Sequence, residues 1–237
     1  MKAMIIGYGR MGKMIEESAK AAGMEIGAII DVDNLQELET MDARFDVVFD
    51  FSSPSALHTV AGFIKRTGSP YVCGCTGHNT RQKELICSLG EYAPVIHAAN
   101  YSLGVAVMKK ALELITPVLR DSFDIEILET HHNKKVDAPS GTAYLLADAI
   151  DPEGEMERVY DRHAIAGARS KNEIGMSSRR GGNMAGEHVV SFFGEDEVIE
   201  ITHRAVSRRI FANGAVKAAQ ALSTRPSGFY TIEELLF

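Results

Sequence analysis

The first part of the chain alternates between short apolar runs and segments whose apolar residues recur at helical spacing. The apolar runs predict strands at residues 2–6, 26–31, 45–51, 70–74 and 94–98. The helical patterns cover residues 10–22, 54–66 and 80–89, with Ser53-Pro54 opening the second and Thr80 expected to cap the third. Short buried strands that alternate with helices predict βαβ units and a parallel sheet.

The pattern changes after about residue 100. Long helices are predicted at 103–119 and 207–223, and alternating strands at 124–132, 187–193 and 197–203. The letters "GED" between the last two strands indicate a hairpin. Residues 151–186 are rich in Gly, Arg, Ser and Asn, and their weak periodicity predicts one long irregular segment.

These patterns predict an α/β protein with two domains. We expect a Rossmann-type parallel-sheet domain at residues 1–101, completed by residues 209–237. We expect a mixed α+β domain at residues 102–208, because the strands there lack intervening helices.

Composition narrows the function classes. Apolar content of 45% and charged content of 24% are ordinary for a globular protein of 237 residues. A net charge of -7 argues against non-specific binding to nucleic acid or acidic membranes. No apolar run approaches the roughly 20 residues of a membrane span, and "MKAMIIGYGRMG" resembles a first strand more than a signal peptide. We therefore expect no nucleic-acid or membrane partner and a cytoplasmic location.

The three cysteines are Cys73, Cys75 and Cys87. An odd count argues against a disulfide framework. Cys73 and Cys75 flank a glycine, but the second ligand pair of a typical zinc site does not accompany them in the sequence. We therefore predict no metal site.

A glycine motif directly follows the first predicted strand and opens the first predicted helix. It consists of Gly7, Tyr8, Gly9, Arg10, Met11 and Gly12, which fit G-x-G-x-x-G. Asp31 ends the second predicted strand, at about the 20-residue spacing expected of a ribose-binding acid. Together these features predict a dinucleotide site with pyrophosphate on the helix N-terminus. Because no basic residue follows Asp31 at 32–34, we expect NADH to be preferred to NADPH.

The stretch "ETHHNKKVDAPSGTA", residues 129–143, concentrates groups that transfer protons or bind anions. If the strand continues through 132, His131 and His132 point to opposite faces and have different roles. Pro139 is expected at or near the first position of a helix, whose first turn would expose the N–H groups of residues 140–142 to a carboxylate or phosphate. Taken singly, these features also fit a packed histidine or an ordinary capped helix, and their combination favours a catalytic site.

The same stretch resembles the signature E-[IV]-x-E-x-H-x3-K-x-D-x-P-S-G-T-A of the dihydrodipicolinate reductase family. The signature is met from Glu126 to Ala143. Similar blocks occur along nearly the whole chain, namely "GYGRMG", "FDFSSP", "GCTG", "AANYSLGV" and "RGGNMAGEH".

The resemblance implies reduction of 4-hydroxy-tetrahydrodipicolinate, a small dicarboxylate, to tetrahydrodipicolinate by NADH or NADPH in the lysine and diaminopimelate pathway. It implies that His131 and Lys135 are catalytic, with Lys135 as proton donor. The implied substrate-binding residues are His132, Gly141 and Thr142, helped by Ser140. Arg180, in the Gly-rich segment, is a further candidate for closing over the ligand, and the alternative is a solvated loop arginine. The implied nicotinamide contacts are Gly74, Cys75, Thr76, Ala98, Ala99, Asn100 and Tyr101. It also implies a homotetramer assembled through the sheet of the second domain.

Two other functions remain open from the sequence. A related Rossmann dehydrogenase would act on another substrate, and the 126–143 stretch argues against it. A non-catalytic dinucleotide sensor would bind the cofactor without turnover, and the presence of both His131 and Lys135 argues against that function.

Overall fold

The strands follow the apolar runs closely in the first part of the chain and less closely in the second. This computed structural model describes residues 1–160 and 162–237. Its strands are β1 (Lys2–Ile6), β2 (Glu25–Ile30), β3 (Val47–Asp50), β4 (Tyr71–Cys73), β5 (Pro94–His97), β6 (Asp124–His131), β7 (Glu157–Val159), β8 (Glu173–Arg180), β9 (Gly186–Phe193), β10 (Val198–Ala205) and β11 (Gly228–Tyr230).

The helices are α1 (Arg10–Ala21), α2 (Leu57–Thr67), α3 (Thr80–Ser88), α4 (Leu103–Leu119), α5 (Gly141–Ile150), α6 (Arg209–Leu222) and α7 (Ile232–Leu236). Helices α1 to α6 lie close to their predicted positions, whereas β11 and α7 near the C-terminus were not predicted. The expected cap of α3 at Thr80 is wrong by one residue. Asn79 is the cap, because its side chain accepts from the Gln82 N–H at 3.0 Å and the Gln82 side chain accepts from the Asn79 N–H.

The chain divides into two compact units. The first contains Met1–Leu103 and Arg209–Phe237, and the second contains Gly104–Arg208. Within the described residues, no helix is long and apolar enough to cross a membrane.

The sheet of the first unit is fully parallel, in the order β11-β5-β4-β3-β1-β2. Successive residues of β1 face opposite sides, so Met4 packs with α2 and Ile5 packs with α1 and α6. Helices thus cover both faces, which explains why the strands are almost wholly apolar. The predicted Rossmann-type sheet is confirmed.

The sheet of the second unit is mixed, in the order β10-β9-β6-β8-β7. β6 pairs antiparallel with β9 and parallel with β8, while β9 and β10 form the hairpin predicted from "GED". The predicted mixed sheet is therefore confirmed.

The expectation that 151–186 is one irregular segment was wrong, because this stretch contains β7 and β8. Only the first half of β8 is buried, and its second half carries exposed Ser and Arg side chains. The apolar signal of this strand is therefore too short to mark it in the sequence.

Candidate active site

The glycine motif forms the tight turn between β1 and α1. Gly7 has φ +85°, and its N–H donates to the Ile30 carbonyl at 2.8 Å. A Cβ on Gly7 would lie 2.6 Å from the backbone of Ser52, and one on Gly12 would lie 2.2 Å from the Gly7 carbonyl oxygen. A Cβ on Gly9, in contrast, would meet none of the described atoms within 4 Å. Two glycines therefore permit close packing, and the third leaves the N-terminus of α1 open to a ligand.

The other motif residues differ in their surroundings. Tyr8 is half-buried and its hydroxyl donates to Glu16, whereas Arg10 is exposed in the first turn of α1. Met11 is half-buried and packs against the core beneath that helix.

Asp31 lies directly after β2 and is exposed. One oxygen of its carboxylate accepts from the Val32 N–H at 2.9 Å, and its own N–H donates to the Asn34 side chain at 2.7 Å. These hydrogen bonds fix the carboxylate at the carboxyl edge of the sheet, where dinucleotide ribose is bound in folds of this class.

Two loops leave the carboxyl ends of β4 and β5 beside each other. The first contains Gly74, Cys75 and Thr76, and the second contains Ala98, Ala99, Asn100 and Tyr101. Thr76 and Ala99 are exposed, whereas Cys75 is buried. Tyr101 is 2% exposed, and its hydroxyl donates to the Cys73 carbonyl at 2.8 Å. The Tyr101 side chain therefore lies beneath the loop, and a cofactor contact by this residue stays a prediction.

In the second unit, one face of β6 changes from apolar to polar along its length. Ile125 and Ile127 pack in the core beneath α4 and α5, and Glu129 and His131 follow on the same face. Glu129 has no exposed surface, and its Oε2 lies 2.5 Å from Nδ1 of His131. An ionised carboxylate only accepts, so Nδ1 of His131 carries the proton and Nε2 is left for other partners.

Arg180, the last residue of β8, lies opposite His131 in the parallel pair. Its guanidinium donates to both oxygens of Glu129, at 2.9 and 2.7 Å. Burial acts to raise the pKa of Glu129, but hydrogen bonds from Arg180, Ser178 and His131 outweigh it and lower that pKa. Glu129 is therefore a buried carboxylate that stays charged.

Burial lowers the pKa of His131, and Glu129 only partly opposes this effect. The positive charge of Lys135 lowers it further. A Cβ on Gly186 would lie 3.0 Å from Nε2 of His131. The imidazole is thus neutral near pH 7, and the glycine leaves space at its Nε2.

His188 pairs with Glu129 across β6 and β9, and its ring lies 5.2 Å from that of His131. Burial, together with the charge of His131, lowers the pKa of His188 to about 4. Nε2 of His188 lies 2.9 Å from Oγ of Ser140, which also accepts from the Ala143 N–H. His188 therefore ties the sheet to the start of α5.

Pro139 lies two residues before the first helical residue and so near the expected position, because Ser140 caps α5 and the helix begins at Gly141. The first helical turn, and with it the set of N–H groups expected at 140–142, therefore begins at Gly141. Ser140 is buried as the cap, while Gly141 is exposed and a Cβ there would meet none of the described atoms within 4 Å. Gly141 and the half-buried Thr142 form the first turn.

Two basic residues of the stretch have separate partners. Nζ of Lys135 lies 2.8 Å from Oδ1 of Asp137, and the lysine side chain is 21% exposed. His132 follows β6 instead of belonging to it, and its Nε2 lies 3.0 Å from a guanidinium nitrogen of Arg208. The strand therefore ends before the expected residue 132, and the argument from opposite faces of one strand does not apply. His131 is a buried strand residue and His132 a loop residue, and their difference in role stays a prediction.

Comparison with known proteins decides the family. The family model of the dihydrodipicolinate reductase N-terminus matches residues 1–101, and that of the C-terminus matches residues 104–236. The chain belongs to the dihydrodipicolinate reductase family. It is 43% identical over 243 residues to the 4-hydroxy-tetrahydrodipicolinate reductase of Staphylococcus carnosus, covering 99% of both chains. It is 40% identical over 238 residues to that of an Exiguobacterium species, covering 99% of this chain and 95% of the relative.

A solved dihydrodipicolinate reductase shares the fold. This protein, from Paenisporosarcina sp. TG-14, is described as bound to dipicolinate. It superposes with a TM-score of 0.79 at 22% identity and covers 100% of this chain and 99% of its own. As a dihydrodipicolinate reductase, the chain is an NAD(P)H-dependent oxidoreductase. The open N-terminus of α1 and the cradle at Gly7 fit a pyridine dinucleotide.

Sequence reasoning missed three residues that complete the polar network of this reductase. Glu129 and His188 lie within sequence motifs but received no role there, and Arg208 lies outside every motif. The spacing Glu129-x-His131 on a strand is a usable signal, because residues two apart share a face. No comparable signal marks His188 or Arg208. The position of His188 depends on the pairing of β9 with β6, and that of Arg208 on the path of the chain after β10.

Proposed function

We propose that His131 and Lys135 perform the proton chemistry when this reductase converts 4-hydroxy-tetrahydrodipicolinate to tetrahydrodipicolinate. The observation that carries this proposal is the buried, charged Glu129, which fixes Nδ1–H of His131 and leaves its Nε2 beside Gly186. NAD(P)H, when bound, supplies the hydride. The net reaction also takes up one proton and releases water.

Lys135 is the proposed proton donor. Its ammonium group carries a transferable proton and is held by Asp137 at 2.8 Å. Burial lowers the pKa of His131, so its imidazole is neutral. Its Nε2 then has a lone pair that can accept a hydrogen bond or a proton. The two groups can therefore take different roles near pH 7.

The start of α5 is the proposed site for a substrate carboxylate. The backbone N–H groups of Gly141 and Thr142 lie at a helix N-terminus, and the side without a Cβ on Gly141 permits close approach. Ser140 supports this turn through His188, and His132 is proposed to contact the substrate from the end of β6. The dipicolinate bound to the Paenisporosarcina reductase is also a dicarboxylate.

The glycine motif, Asp31 and the two strand-end loops are the proposed cofactor contacts. NADH is the proposed preferred cofactor, because an exposed carboxylate at Asp31 accepts from ribose hydroxyls and repels a 2′-phosphate. Val32, 80% exposed beside it, offers no compensating positive charge.

A homotetramer in the cytoplasm is the proposed form of the protein. On the face of the second sheet opposite the helices, Leu128 pairs with Val189 through β6 and β9, and Phe193 pairs with Val198 through β9 and β10. Phe193 and Val198 are 42% and 51% exposed in the single chain, which favours burial against other copies. The free thiols of Cys73, Cys75 and Cys87 are consistent with a reducing compartment.

The test follows NADH and, separately, NADPH by absorbance while the preceding enzyme forms the substrate from pyruvate and aspartate semialdehyde. We expect substrate-dependent oxidation, faster with NADH, and a large loss in Lys135→Ala. Cofactor binding without oxidation would instead favour the sensor. Unchanged turnover in Lys135→Ala would refute the assigned proton donor while leaving the family intact.

A further inference from the structure

A second group of reactive side chains lies at the carboxyl edge of the first sheet. Cys73 ends β4 and His97 ends β5, and the two residues are direct partners in this parallel pair. Cys73 is fully buried, and its carbonyl accepts from Tyr101 at 2.8 Å and from the Ala98 N–H at 3.2 Å. Both side chains are therefore positioned by rigid elements.

His78 is brought to the same place by the loop that follows β4. Its Nε2 lies 3.8 Å from Sγ of Cys73, and its ring lies 5.4 Å from that of His97 at an interplanar angle of 75°. One ligand atom from each of Cys73, His78 and His97 lies within 4.8 Å of the other two.

The hydrogen bonding of this group is incomplete. Nδ1 of His78 is buried without a hydrogen-bond partner in the described part of the chain. Burial lowers the pKa of this ring and the nearby Gln82 amide acts to raise it, but that amide donates to the Pro54 carbonyl at 2.9 Å and accepts from the Asn79 N–H at 3.1 Å. Nε2 of His97 lies 3.2 Å from the Cys75 carbonyl, a contact that a cation at this nitrogen would replace. The His78 nitrogen that faces Cys73 is Nε2, whose contact with the thiol at 3.8 Å is long and weak, so both nitrogens of His78 are poorly satisfied.

The charges around the group act in both directions. Burial and the Asp50 carboxylate disfavour the Cys73 thiolate, so loss of the thiol proton opposes binding. The same Asp50 charge favours a cation, and the geometry of the three side chains is what carries the site.

We propose that Cys73, His78 and His97 form a binding site for a divalent cation of the Zn²⁺ class. One thiolate and two imidazoles are a typical donor set for this ion and leave a fourth position for water or another ligand. Binding forms one metal–sulfur bond and two metal–nitrogen bonds, and the thiol proton passes to solvent.

The geometry needs only a small contraction. Tetrahedral ligands at the usual zinc distances lie roughly 3.3–3.7 Å apart. Nε2 of His78 and Sγ of Cys73, 3.8 Å apart, already lie close to this spacing. The widest separation in the group, at most 4.8 Å, has to shorten by about 1 Å when the cation binds. Cys75 is not part of the site, because its Sγ is directed to the Thr76 carbonyl at 3.6 Å. The sequence expectation of no metal site considered a Cys73–Cys75 pair, whereas the structure joins Cys73 to two histidines.

The experiment titrates the purified, metal-free full-length protein with Co²⁺, a spectroscopic substitute for Zn²⁺. We expect one equivalent to bind, with a thiolate-to-cobalt charge-transfer band that Zn²⁺ abolishes. Cys73→Ser should remove this band, and His78→Gln should weaken Co²⁺ binding at least about tenfold. The exposed Cys87 and His58 provide matched controls, because Cys87→Ser and His58→Gln should bind as the parent does.

Either failure to bind Co²⁺ in the parent or a band that survives in Cys73→Ser would overturn the proposal. Should Cys73→Ser not fold, the loop variant His78→Gln decides, and affinity equal to that of His58→Gln would count against the site. Thermal unfolding with Zn²⁺ gives an independent readout, since a cation that binds only the folded state raises the Tm of the parent and not of His78→Gln.

Discussion

Arg180 binds both carboxylate oxygens of Glu129 through two different guanidinium nitrogens, at 2.9 and 2.7 Å. The second of these nitrogens also donates to the Asp137 carbonyl at 2.6 Å. Arg180 therefore connects the carboxylate that orients His131 to the segment that carries Lys135. A planar, forked cation is required, because a lysine ammonium cannot form this pair of parallel bonds.

Arg180→Lys should therefore impair catalysis more than binding. We expect kcat to fall about 10- to 100-fold, by analogy with the partners that orient metal-binding histidines, with little change in the Kd for NADH. The pH profile of kcat should also move, because Glu129 loses part of the stabilisation of its charge. Arg179→Lys is the matched control, since Arg179 is exposed on the other face of β8 and contacts Thr130. Equal kinetics in the two variants would remove Arg180 from the site.

Lys135→Ala tests the proton donor directly. We expect kcat to fall by about 10²–10⁴, the usual contribution of a positioned acid or base, while the Kd for NADH measured by fluorescence stays nearly constant. Lys134→Ala controls for the loss of one positive charge in the same loop, because Lys134 is exposed and adjacent. Loss of NADH binding in Lys135→Ala would show that the residue does not act as proposed.

Asp31 should set the cofactor preference. Replacing Asp31 by Ala together with Val32→Arg removes the carboxylate and adds a partner for a 2′-phosphate. We expect the ratio of kcat/KM for NADPH to that for NADH to rise at least about tenfold. The control Asp33→Ala removes an exposed acid from the same segment. An unchanged ratio in the double variant would contradict the ribose-binding role.

Acid should destabilise the protein through its buried histidines. The folded-state pKa of His188 is about 4, below the roughly 6.5 of an unfolded histidine, so the unfolded chain binds more protons between these values. The stabilisation is present above pH ~6.5 and is lost as the pH falls toward about 4, approaching about 3 kcal/mol for this residue.

Urea unfolding at several pH values across that interval measures this effect. His188→Gln should flatten the decline, because the amide does not titrate, whereas the exposed His58→Gln should leave it unchanged. A decline as steep in His188→Gln as in the parent would assign the acid sensitivity to other groups.

The predictability of this fold follows from where the apolar residues lie. The first sheet could be predicted from the sequence, because its strands are short apolar runs with helices between them and its first turn carries the glycine motif. Strand β8 could not be predicted in this way, because Ile174 and Met176 are its only large apolar residues and the exposed Ser and Arg that follow resemble a loop.

Only those site residues that lie close together in the sequence could be predicted. His131, Lys135 and Gly141 occur in one stretch, so their roles could be proposed from sequence. The contact between Glu129 and Arg180 joins residues 51 positions apart. It depends on the parallel register that places His131 opposite Arg180, and register between distant strands leaves no local pattern.

The discontinuity of the first unit has a consequence for biosynthesis. The face of its sheet formed by Ala3, Ile5 and Phe49 is covered partly by Ala215, Ala219 and Leu222 of α6. Since the ribosome makes the chain from the N-terminus, all of Gly104–Arg208 emerges before that cover exists. This part of the apolar face therefore stays uncovered by α6 while the second unit is synthesised, and the core of the first unit is completed only at the end of translation.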